Sequence, residues 1–408
     1  MPLPKPWRAA LLTFFLAGLG LAAQAADPKA YVGNFKDNTV SVIDTGKGVV
    51  TATIAVAAGP HGMVLSPDGR MLYVSGDGSS QVSVVDTASD SVVKALEVGK
   101  APHGLAMAPD GKRLLVAVYA EDRIGVWDTA SATQVGSIAV AKPHTLAILP
   151  DGKKAYVASQ LPGNFGLSVI DVGAGTVLRQ IALDKPPRDL EASLDGRWLY
   201  ATVAGENAVL LIDTRSDSIA GRLPTGASPH IAAPIKGGTL VGVVVQGPGE
   251  YSLFDPATQA AVRSIAVGKQ PHWAATSGNG KTAYVSNEGS NDLSIIDLSS
   301  GTVRTVAVGT APRKEVVQQQ ASSSGAGQVS IANFAFAPGE LRVVAGQTVT
   351  WVNHDGAPHG LAHADGVKGS DLLLPGASVS RRYDQAGSFD YICSVHPYMT
   401  GKVVVSAR

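Results

Sequence analysis

Three side chains able to bind a soft metal stand close together near the C-terminal end of the chain. Cys393, His396 and Met399 place a thiolate, an imidazole and a thioether at intervals of three residues. Such ligands suit copper that alternates between Cu(I) and Cu(II), and sites of this kind commonly combine two histidines, one cysteine and a weakly bound methionine. The second imidazole must come from elsewhere, and Pro358-His359 lies upstream. The chemistry indicated is the transfer of single electrons.

Cys393 is the single cysteine of the 408-residue chain, so it can form no internal disulfide. An exposed free thiol is reactive in an oxidising compartment, whereas a copper-bound thiolate is protected. A buried cysteine that only packs is the alternative interpretation, but it requires nothing at His396 or Met399. The metal interpretation accounts for all three residues.

Residues 391–405 resemble the C-terminal ligand loop of the cupredoxins, of the amicyanin and plastocyanin type. Residues 350–353, followed by Pro358-His359, resemble the segment that carries the first ligand in that family. The resemblance covers residues 329–408 and implies a type 1 (blue) copper domain folded as a β-sandwich. The copper ligands that it implies are His359, Cys393, His396 and Met399.

Two further histidines, His354 and His363, flank His359, so the choice of first ligand depends on the Pro-His match and the spacing from Asn353. The resemblance implies that Asn353 ties the two ligand segments together. A rigid sandwich would hold the ligands in a geometry that both oxidation states accept. The edge beside Pro358 and Pro397 is the candidate for electron entry or exit, through the small transient contact that redox partners use.

The middle of the chain is a repeat marked by a Pro-His or Pro-Arg pair every 41 to 44 residues. The pairs begin at Pro60, Pro102, Pro143, Pro187, Pro229, Pro271 and Pro312. An Asp-Gly turn follows most of them, and such turns join antiparallel strands. Period-two alternation then predicts further strands, four in each repeat, which is the composition of one propeller blade.

The repeats predict a seven-bladed β-propeller over residues 26–317, in which residues 313–318 supply the innermost strand of the first blade. Tyr31-Val32-Gly33-Asn34 and Tyr284-Val285-Ser286-Asn287 resemble the YVTN-type propeller family. The fold class expected for the whole chain is therefore all-β, a propeller followed by a cupredoxin sandwich. Fold alone does not assign an activity to a propeller.

The residue after each repeat proline is a candidate for a second site. These residues are His61, His103, His144, Arg188, His230, His272 and Arg313. Equivalent positions of seven blades converge at one end of the central channel, where imidazoles could bind a metal such as copper and arginines a small anion. Asp189, Glu191 and Glu315 are candidate supporting groups. The alternative is structural: each histidine caps its turn or packs on the next blade.

The first residues have the pattern of an export signal. Lys5 and Arg8 precede an apolar run that ends in Ala23-Gln24-Ala25, which is a basic region, a short hydrophobic region and a cleavage site. The run is shorter than the ~20 residues of a spanning helix. Residues 1–25 are therefore interpreted as a signal peptide, with an uncleaved membrane anchor as the alternative, and the mature protein is expected in a bacterial periplasm without stable membrane insertion.

Composition agrees with a globular β-rich protein of more than one domain. The chain has 33 basic and 33 acidic residues, so nothing favours nucleic acid or an anionic membrane as a partner. Residues 318–328 are rich in glutamine, serine and glycine and are interpreted as a flexible linker. Oligomeric state and redox partner have no signal in the sequence.

Three functions remain open from the sequence. The first is an exported electron-transfer carrier with a propeller that docks a partner or binds a substrate. The second is a copper oxidoreductase with additional copper or a substrate at the propeller histidines. The third is a copper-binding or sensing protein without turnover.

Overall fold

The computed structural model of the protein describes residues 28–236, 238–318, 327–367 and 369–407. Within these ranges the strands form nine sheets of four strands each, and the helical structure is one 3₁₀ turn, Tyr119–Glu121. The expected all-β class is therefore confirmed. No helix of the described chain is long and apolar enough to cross a membrane.

Seven of the nine sheets are propeller blades in which neighbouring strands run antiparallel. Their strands are β1 Lys29–Asn34, β2 Thr39–Asp44, β3 Val49–Ala55, β4 Pro60–Leu65, β5 Met71–Gly76, β6 Gln81–Asp86, β7 Ser91–Glu97, β8 Pro102–Met107, β9 Arg113–Val118, β10 Arg123–Asp128, β11 Thr133–Ala139, β12 Pro143–Ile148, β13 Lys154–Ser159, β14 Gly166–Asp171, β15 Thr176–Ala182, β16 Pro187–Ala192, β17 Trp198–Val203, β18 Ala208–Asp213, β19 Ser218–Pro224, β20 Pro229–Pro234, β21 Val241–Val245, β22 Glu250–Asp255, β23 Ala260–Ala266, β24 Pro271–Thr276, β25 Thr282–Asn287, β26 Asp292–Asp297, β27 Val303–Ala307 and β28 Pro312–Val317.

Burial changes across each blade in the way that its sequence dictates. The second and third strands are the most buried, as in β5 and β6, because neighbouring blades cover both faces. The outermost strand, such as β7, is exposed except for one inward leucine. The turns between strands use Asp-Gly pairs, and Gly69 has a φ of +70° that a residue with a Cβ rarely adopts. Valine-rich alternation therefore builds the blades, and glycine permits their tight turns.

Each inner strand begins with a shift in its pairing register, and this shift sets the direction of the strand's second side chain. In β4 the register with β5 shifts between Pro60 and Met63, and β8, β12, β16 and β20 have the same shift. A bulge of this kind bends a strand and redirects a side chain. The histidine or arginine after each proline therefore points out of the regular ladder at the mouth of the channel.

The first blade combines both ends of the propeller sequence. Strand β28 pairs antiparallel with β1, opposing Tyr31 to Val316 and Val32 to Glu315. The backbone N–H of Gln318 then donates to the carbonyl of Lys29 over 2.8 Å. The ring thus closes through hydrogen bonds between residues almost 290 positions apart in sequence, such as Lys29 and Gln318. Such closure removes exposed strand edges.

The C-terminal domain is a sandwich of two four-stranded sheets, in the orders β30-β29-β32-β34 and β31-β36-β35-β33. Its strands are β29 Gln328–Ala332, β30 Ala335–Ala337, β31 Glu340–Val344, β32 Gln347–Asn353, β33 Leu361–His363, β34 Ser378–Tyr383, β35 Gly387–Cys393 and β36 Thr400–Ser406. Trp351, Tyr391 and Val403 pack in the core between the sheets, and Cys393 and Met399 belong to the same cluster. The predicted metal-binding loop therefore closes one end of the core.

The sandwich lies against the end of the channel opposite the inner-strand starts. The Asn333 side-chain amide donates to the Gly278 carbonyl over 3.0 Å, and Phe336 and Pro338 line a cavity that continues up the channel to His61. The predicted signal peptide, residues 1–25, lies outside the described residues, as do residues 319–326 of the predicted linker.

Candidate metal centre

Three of the residues selected from the sequence meet at one end of the sandwich. The Cys393 Sγ lies 3.5 Å from His359 Nδ1 and 3.7 Å from His396 Nδ1, and the two Nδ1 atoms are 3.3 Å apart. His359 and Cys393 are buried, while His396 is partly exposed. In the described chain, this is the group of three histidine, cysteine or carboxylate ligand atoms close enough to share one ion.

The triangle has the dimensions that a metal ion requires. Bonds of about 2.0–2.3 Å to nitrogen and sulfur, spread at trigonal angles, would separate the ligand atoms by roughly 3.5–3.8 Å. The observed separations of 3.3 to 3.7 Å match this spacing closely. One thiolate with two imidazoles is the donor set of a blue copper site. These residues therefore fit copper without rearrangement.

The loop between β35 and β36 positions Cys393, His396 and Met399. The N–H of Cys393 donates to the carbonyl of Met399 over 3.0 Å, and the N–H of Met399 donates to the carbonyl of His396 over 2.9 Å. The His396 N–H points at the Cys393 sulfur over 3.4 Å. Met399 is 3% exposed within the same core. The spacing of three residues thus folds into a compact turn that brings the ligand types together.

Asn353 organises the segment that carries His359. Its amide nitrogen donates to the carbonyls of Ala357 and Leu373, each over 2.9 Å, and its side-chain oxygen accepts from the Asp355 N–H. Neither carbonyl belongs to the 393–399 loop. That loop is tied to the His359 segment by the Ser394 N–H, which donates to the Gly360 carbonyl over 3.1 Å.

Asp355 is a functional candidate that the sequence did not reveal. Its carboxylate lies 2.8 Å from His359 Nε2 and is 3% exposed. Because the carboxylate accepts the Nε2 proton, Nδ1 is the nitrogen of His359 that faces Cys393 and that a metal would occupy. Metal-binding histidines commonly have such a carboxylate partner, which fixes the tautomer and raises ligand basicity. The signal available in the sequence was an acidic residue four positions before the histidine.

A two-residue turn places Phe334 over the centre. Asn333 and Phe334 join β29 to β30 with φ values of 54° and 56°, and both N–H groups donate to the Asp355 carboxylate. The Phe334 ring contacts the imidazoles of His359 and His396 edge-on, with centroid distances of 5.3 and 4.8 Å. An aromatic residue with positive φ is strained, and the two hydrogen bonds to Asp355 hold this turn in place.

The alternative histidines lie elsewhere. His354 is exposed. His363 packs edge-on against Trp351 and Tyr391, with ring centroids 5.6 and 5.9 Å away. Neither belongs to the three-residue group at Cys393. Of the three neighbouring histidines, the structure therefore brings His359 to the thiol.

The charges around the thiol favour its ionised form. Burial raises the pKa of Cys393, but His359 and the surrounding backbone N–H groups outweigh burial and lower it. Burial lowers the pKa of His359, but Asp355 and Cys393 together raise it to about 9. Thiolate is the form of cysteine that binds metal. The Asp355 carboxylate and the Cys393 thiolate thus surround His359 with groups that favour a positive charge between them.

Comparison with known proteins agrees with this geometry. Residues 324–406 match the family model of copper-binding proteins of the plastocyanin/azurin family. Amicyanin-alpha of Methylorubrum extorquens is 37% identical over 97 residues, which are 22% of this chain and 79% of that protein. Amicyanin of Paracoccus denitrificans is 35% identical over 101 residues, 24% of this chain and 77% of that protein. Through its C-terminal domain, the chain belongs to the plastocyanin/azurin family.

The propeller has its own matches beside this plastocyanin/azurin-type domain. Residues 17–113 match the family model of a YNCE-like β-propeller. A chain of Kuenenia stuttgartiensis hydrazine synthase superposes with a TM-score of 0.62 at 24% identity, over 70% of this chain and 99% of that one. At this identity the likeness supports the propeller fold alone.

The seven residues after the repeat prolines line one cavity at the mouth of the propeller channel. The rings of His61, His103 and His144 pack in succession, with centroids 3.8 Å apart at each step and tilts of 40° and 34°. His230 stacks on His272 at 3.9 Å. The five imidazoles that the sequence placed at equivalent positions therefore share one cavity, together with Arg188 and Arg313.

Backbone carbonyls determine which nitrogen of these imidazoles carries the proton. The Nδ1 atoms of His103, His144 and His272 lie 2.9 to 3.1 Å from the carbonyl oxygen of the next blade at the same position. A carbonyl only accepts, so each Nδ1 is protonated and each Nε2 carries a lone pair. Burial lowers the pKa of all five histidines, to about 4 in His144. They are neutral at pH 7.

The acidic candidates lie deeper in the channel. Asp189 borders the histidine cavity, and Glu191 and Glu315 line the continuation towards the sandwich. Burial raises the pKa of each of these carboxyls, to about 8 in Glu315. Lys314 lies among them, with its Nζ 3.9 Å from the Trp273 ring centroid. They form a buried ionisable lining instead of a shell around the imidazoles.

Proposed function

We propose that this protein is an exported type 1 copper protein that performs one-electron transfer, with a propeller that docks a partner or binds a substrate. The observation that carries the proposal is the triangle of His359, Cys393 and His396 inside a plastocyanin/azurin-type domain. We assign copper to this triangle, with Met399 as a weak fourth ligand. Bound copper supplies a metal that exchanges single electrons between Cu(I) and Cu(II).

The residues of the chain have separate tasks in this function. Asp355 orients His359 and keeps its Nδ1 free for the metal. Asn353 holds the His359 segment, and Phe334 covers the two imidazoles. Because these contacts hold the ligands in one arrangement, reduction and oxidation require little movement. His396, the partly exposed ligand, is the proposed point of electron entry or exit.

Copper loading tests the assignment directly. The full chain loaded with Cu(II) should show an intense visible charge-transfer band. Cys393→Ser should lose this band while far-ultraviolet circular dichroism keeps the β spectrum of the propeller. A matched control is Ser394→Ala, which changes the exposed neighbour of the cysteine. A band that survives in Cys393→Ser would remove the ligand assignment.

Export to a periplasm is part of the proposal. Its support is the basic and apolar pattern of residues 1–25. In the oxidising periplasm, bound copper would also protect the single reactive thiol. N-terminal sequencing of protein from a periplasmic fraction should begin at Ala26. A mature chain that starts at Met1 in the cytoplasm would contradict it. The expected partner is a soluble redox protein that meets the copper domain transiently.

A copper oxidoreductase is the second candidate, favoured by the five imidazoles that share the propeller cavity. In that case the channel performs chemistry and the C-terminal copper supplies or removes electrons. Copper analysis separates the two: one copper per chain indicates the carrier. Two or more, with the excess lost in a His61/His144/His230 triple alanine variant, indicates the enzyme. Copper binding without a reversible wave in voltammetry would instead indicate a copper-binding or sensing protein.

A further inference from the structure

The mouth of the propeller channel is a cavity of about 390 Å³ that combines imidazoles with guanidinium groups. We propose that this cavity binds a small oxyanion, which Arg188 and Arg313 hold and to which one imidazole donates after taking up a proton. The proposal gives a ligand class to the substrate-domain part of the proposed function. It does not depend on the copper assignment.

Arg188 supplies the first observation. Its Nη1 donates to the Ser228 hydroxyl over 2.9 Å, but within the described chain no carboxylate is recorded in ion-pair contact with it. Burial lowers the pKa of this guanidinium. Removing a charge from water without a counter-ion costs free energy, and an oxyanion in the cavity would recover it through charge-assisted hydrogen bonds.

Arg313 supplies a second donor in a fixed position. Its guanidinium lies on the Phe35 ring, 3.7 Å from the centroid, and its Nη2 is 3.4 Å from a Glu288 oxygen. Stacking and one partial ion pair hold the plane of the group without using all of its donors. Glu288 lies opposite Arg313, whereas Arg188 has no such partner, and burial raises the pKa of Asp189, the other carboxyl of the cavity, which disfavours its negative charge.

The same cavity is poorly arranged for a metal ion. At the C-terminal centre the ligand atoms of His359, Cys393 and His396 all lie within 4.8 Å of one another. Within the described residues the nitrogens of the channel-mouth imidazoles form no such group of three, although their rings approach to 3.8–3.9 Å with tilts of 34° to 42°. Arg313 also lowers the pKa of all five histidines, after the larger effect of burial. A potential that opposes imidazolium also opposes a metal cation and attracts an anion.

Proton uptake follows from the tautomers. In His144 the Nδ1 proton is committed to the Arg188 carbonyl, so the Nε2 atom is an acceptor and cannot donate to an oxyanion. One proton from water added at Nε2 turns it into a donor and leaves an imidazolium beside the bound anion. The binding of one anion is therefore accompanied by the uptake of up to one proton. Affinity should rise as pH falls, by up to about tenfold per pH unit.

Several charged groups face the imidazoles and must be considered in this titration. They are Arg188 and Asp189 from β16, Arg313 and Lys314 from β28, Glu288 after β25, and the other histidines of the cavity. A guanidinium group does not lose its proton in this pH range, so the arginines do not produce the pH dependence. Burial raises the pKa of Asp189. Burial also raises the pKa of Asp77, and the nearby charge of Arg313 opposes that rise. Isothermal titration of the wild type and of His144→Asn at two pH values distinguishes proton uptake by this histidine from proton uptake by the other groups.

The experiment is isothermal titration calorimetry of the copper-loaded full chain with sodium nitrate and with sodium sulfate. Two buffers of different ionisation enthalpy, each at pH 6 and pH 7, give the number of protons taken up. We expect saturable binding of at least one anion with net proton uptake. Arg188→Gln should weaken binding by about 10- to 100-fold, the value of a charge-assisted hydrogen bond. The control is Arg215→Gln, an exposed arginine of the same blade, which should bind like the wild type.

His144→Asn should lower the proton uptake, because the amide can still donate to the Arg188 carbonyl but offers no basic Nε2. The proposal is overturned if neither anion binds, if Arg188→Gln binds as tightly as Arg215→Gln, or if uptake is zero. It is also overturned if zinc or copper binds the Cys393→Ser protein and His144→Asn abolishes that binding. The visible copper band should persist in both arginine variants, so failure here is distinct from failure of the copper assignment.

Discussion

Replacement of Asp355 by asparagine should weaken copper binding and raise the reduction potential of the plastocyanin/azurin-type centre. The buried carboxylate accepts a hydrogen bond from His359 Nε2 over 2.8 Å and also accepts the N–H of Phe334 over 2.9 Å. Asparagine keeps the shape but removes the charge. It also replaces one carboxylate oxygen with an amide NH2 group. This donor then faces the N–H donor whose hydrogen bond the oxygen had accepted.

The magnitude follows from these contacts. A lost carboxylate partner of a metal-binding histidine typically costs about 10- to 100-fold in metal affinity, or about 1.4–2.7 kcal/mol. The negative charge of Asp355 stabilises Cu(II) more than Cu(I), so its loss favours the reduced state. If Cu(II) affinity falls tenfold more than Cu(I) affinity, the potential rises by about 59 mV. The metal-free protein should lose about 1–3 kcal/mol of stability through the mismatched donor.

Chelator competition measures Cu(II) affinity, and voltammetry measures the potential. Asp390→Asn is the matched control because Asp390 is exposed on β35 and pairs with Lys402 at 3.6 Å; it should change neither quantity appreciably. A Cu(II) affinity for Asp355→Asn within twofold of the control, or a lowered potential, would refute the role given to this carboxylate. Urea unfolding without copper separates the stability loss from the metal effect.

Three further predictions concern Met399, Phe334 and His144. Met399→Leu should retain copper and raise the potential in voltammetry, because a weak donor to Cu(II) is lost; a lower potential would count against methionine as a ligand. Phe334→Ala should speed copper removal by a chelator, since the ring packs 4.8 Å from His396; an unchanged rate would show that the ring gives no protection. The pKa of His144 falls to about 4 on folding, so the unfolded chain binds its proton first as pH drops below about 6.5. His144 should then contribute a loss of stability of up to about 3 kcal/mol between pH 6.5 and 4, and urea titrations should show a decrease that is smaller by this amount in His144→Asn than in the wild type.

The ligand loop could be predicted because its chemistry is local. Cys393, His396 and Met399 lie within seven positions, and a soft metal restricts all three residue types. The supporting residues could not be predicted in the same way. Asp355 meets the Asn333-Phe334 turn because β29 pairs in parallel with β32, opposing Ile331 to Asn353. That register is set by tertiary contacts, and no short sequence motif indicates it.

The propeller was predictable for a different reason, because a repeat can be recognised from the sequence alone. Seven prolines at nearly constant spacing locate the first residue of every inner strand. Symmetry then requires the following residues to meet at one end of the channel. What repetition does not determine is the chemistry of the individual blades. The lone Ser228 bond of Arg188 and the Glu288 partner of Arg313 depend on residues that differ from blade to blade.

The two histidine sites differ in the charges that surround their imidazoles. At the copper centre, Asp355 and Cys393 outweigh burial and raise the pKa of His359 to about 9. At the channel mouth, burial dominates and the arginines add to it, so His144 falls to about 4. A negative surrounding stabilises a cation among imidazoles, and a positive one stabilises an anion. We therefore expect the imidazole of His359 to accept a cation and the imidazoles of the channel mouth to accept an anion, because carboxylate and thiolate surround the first and guanidinium groups surround the second.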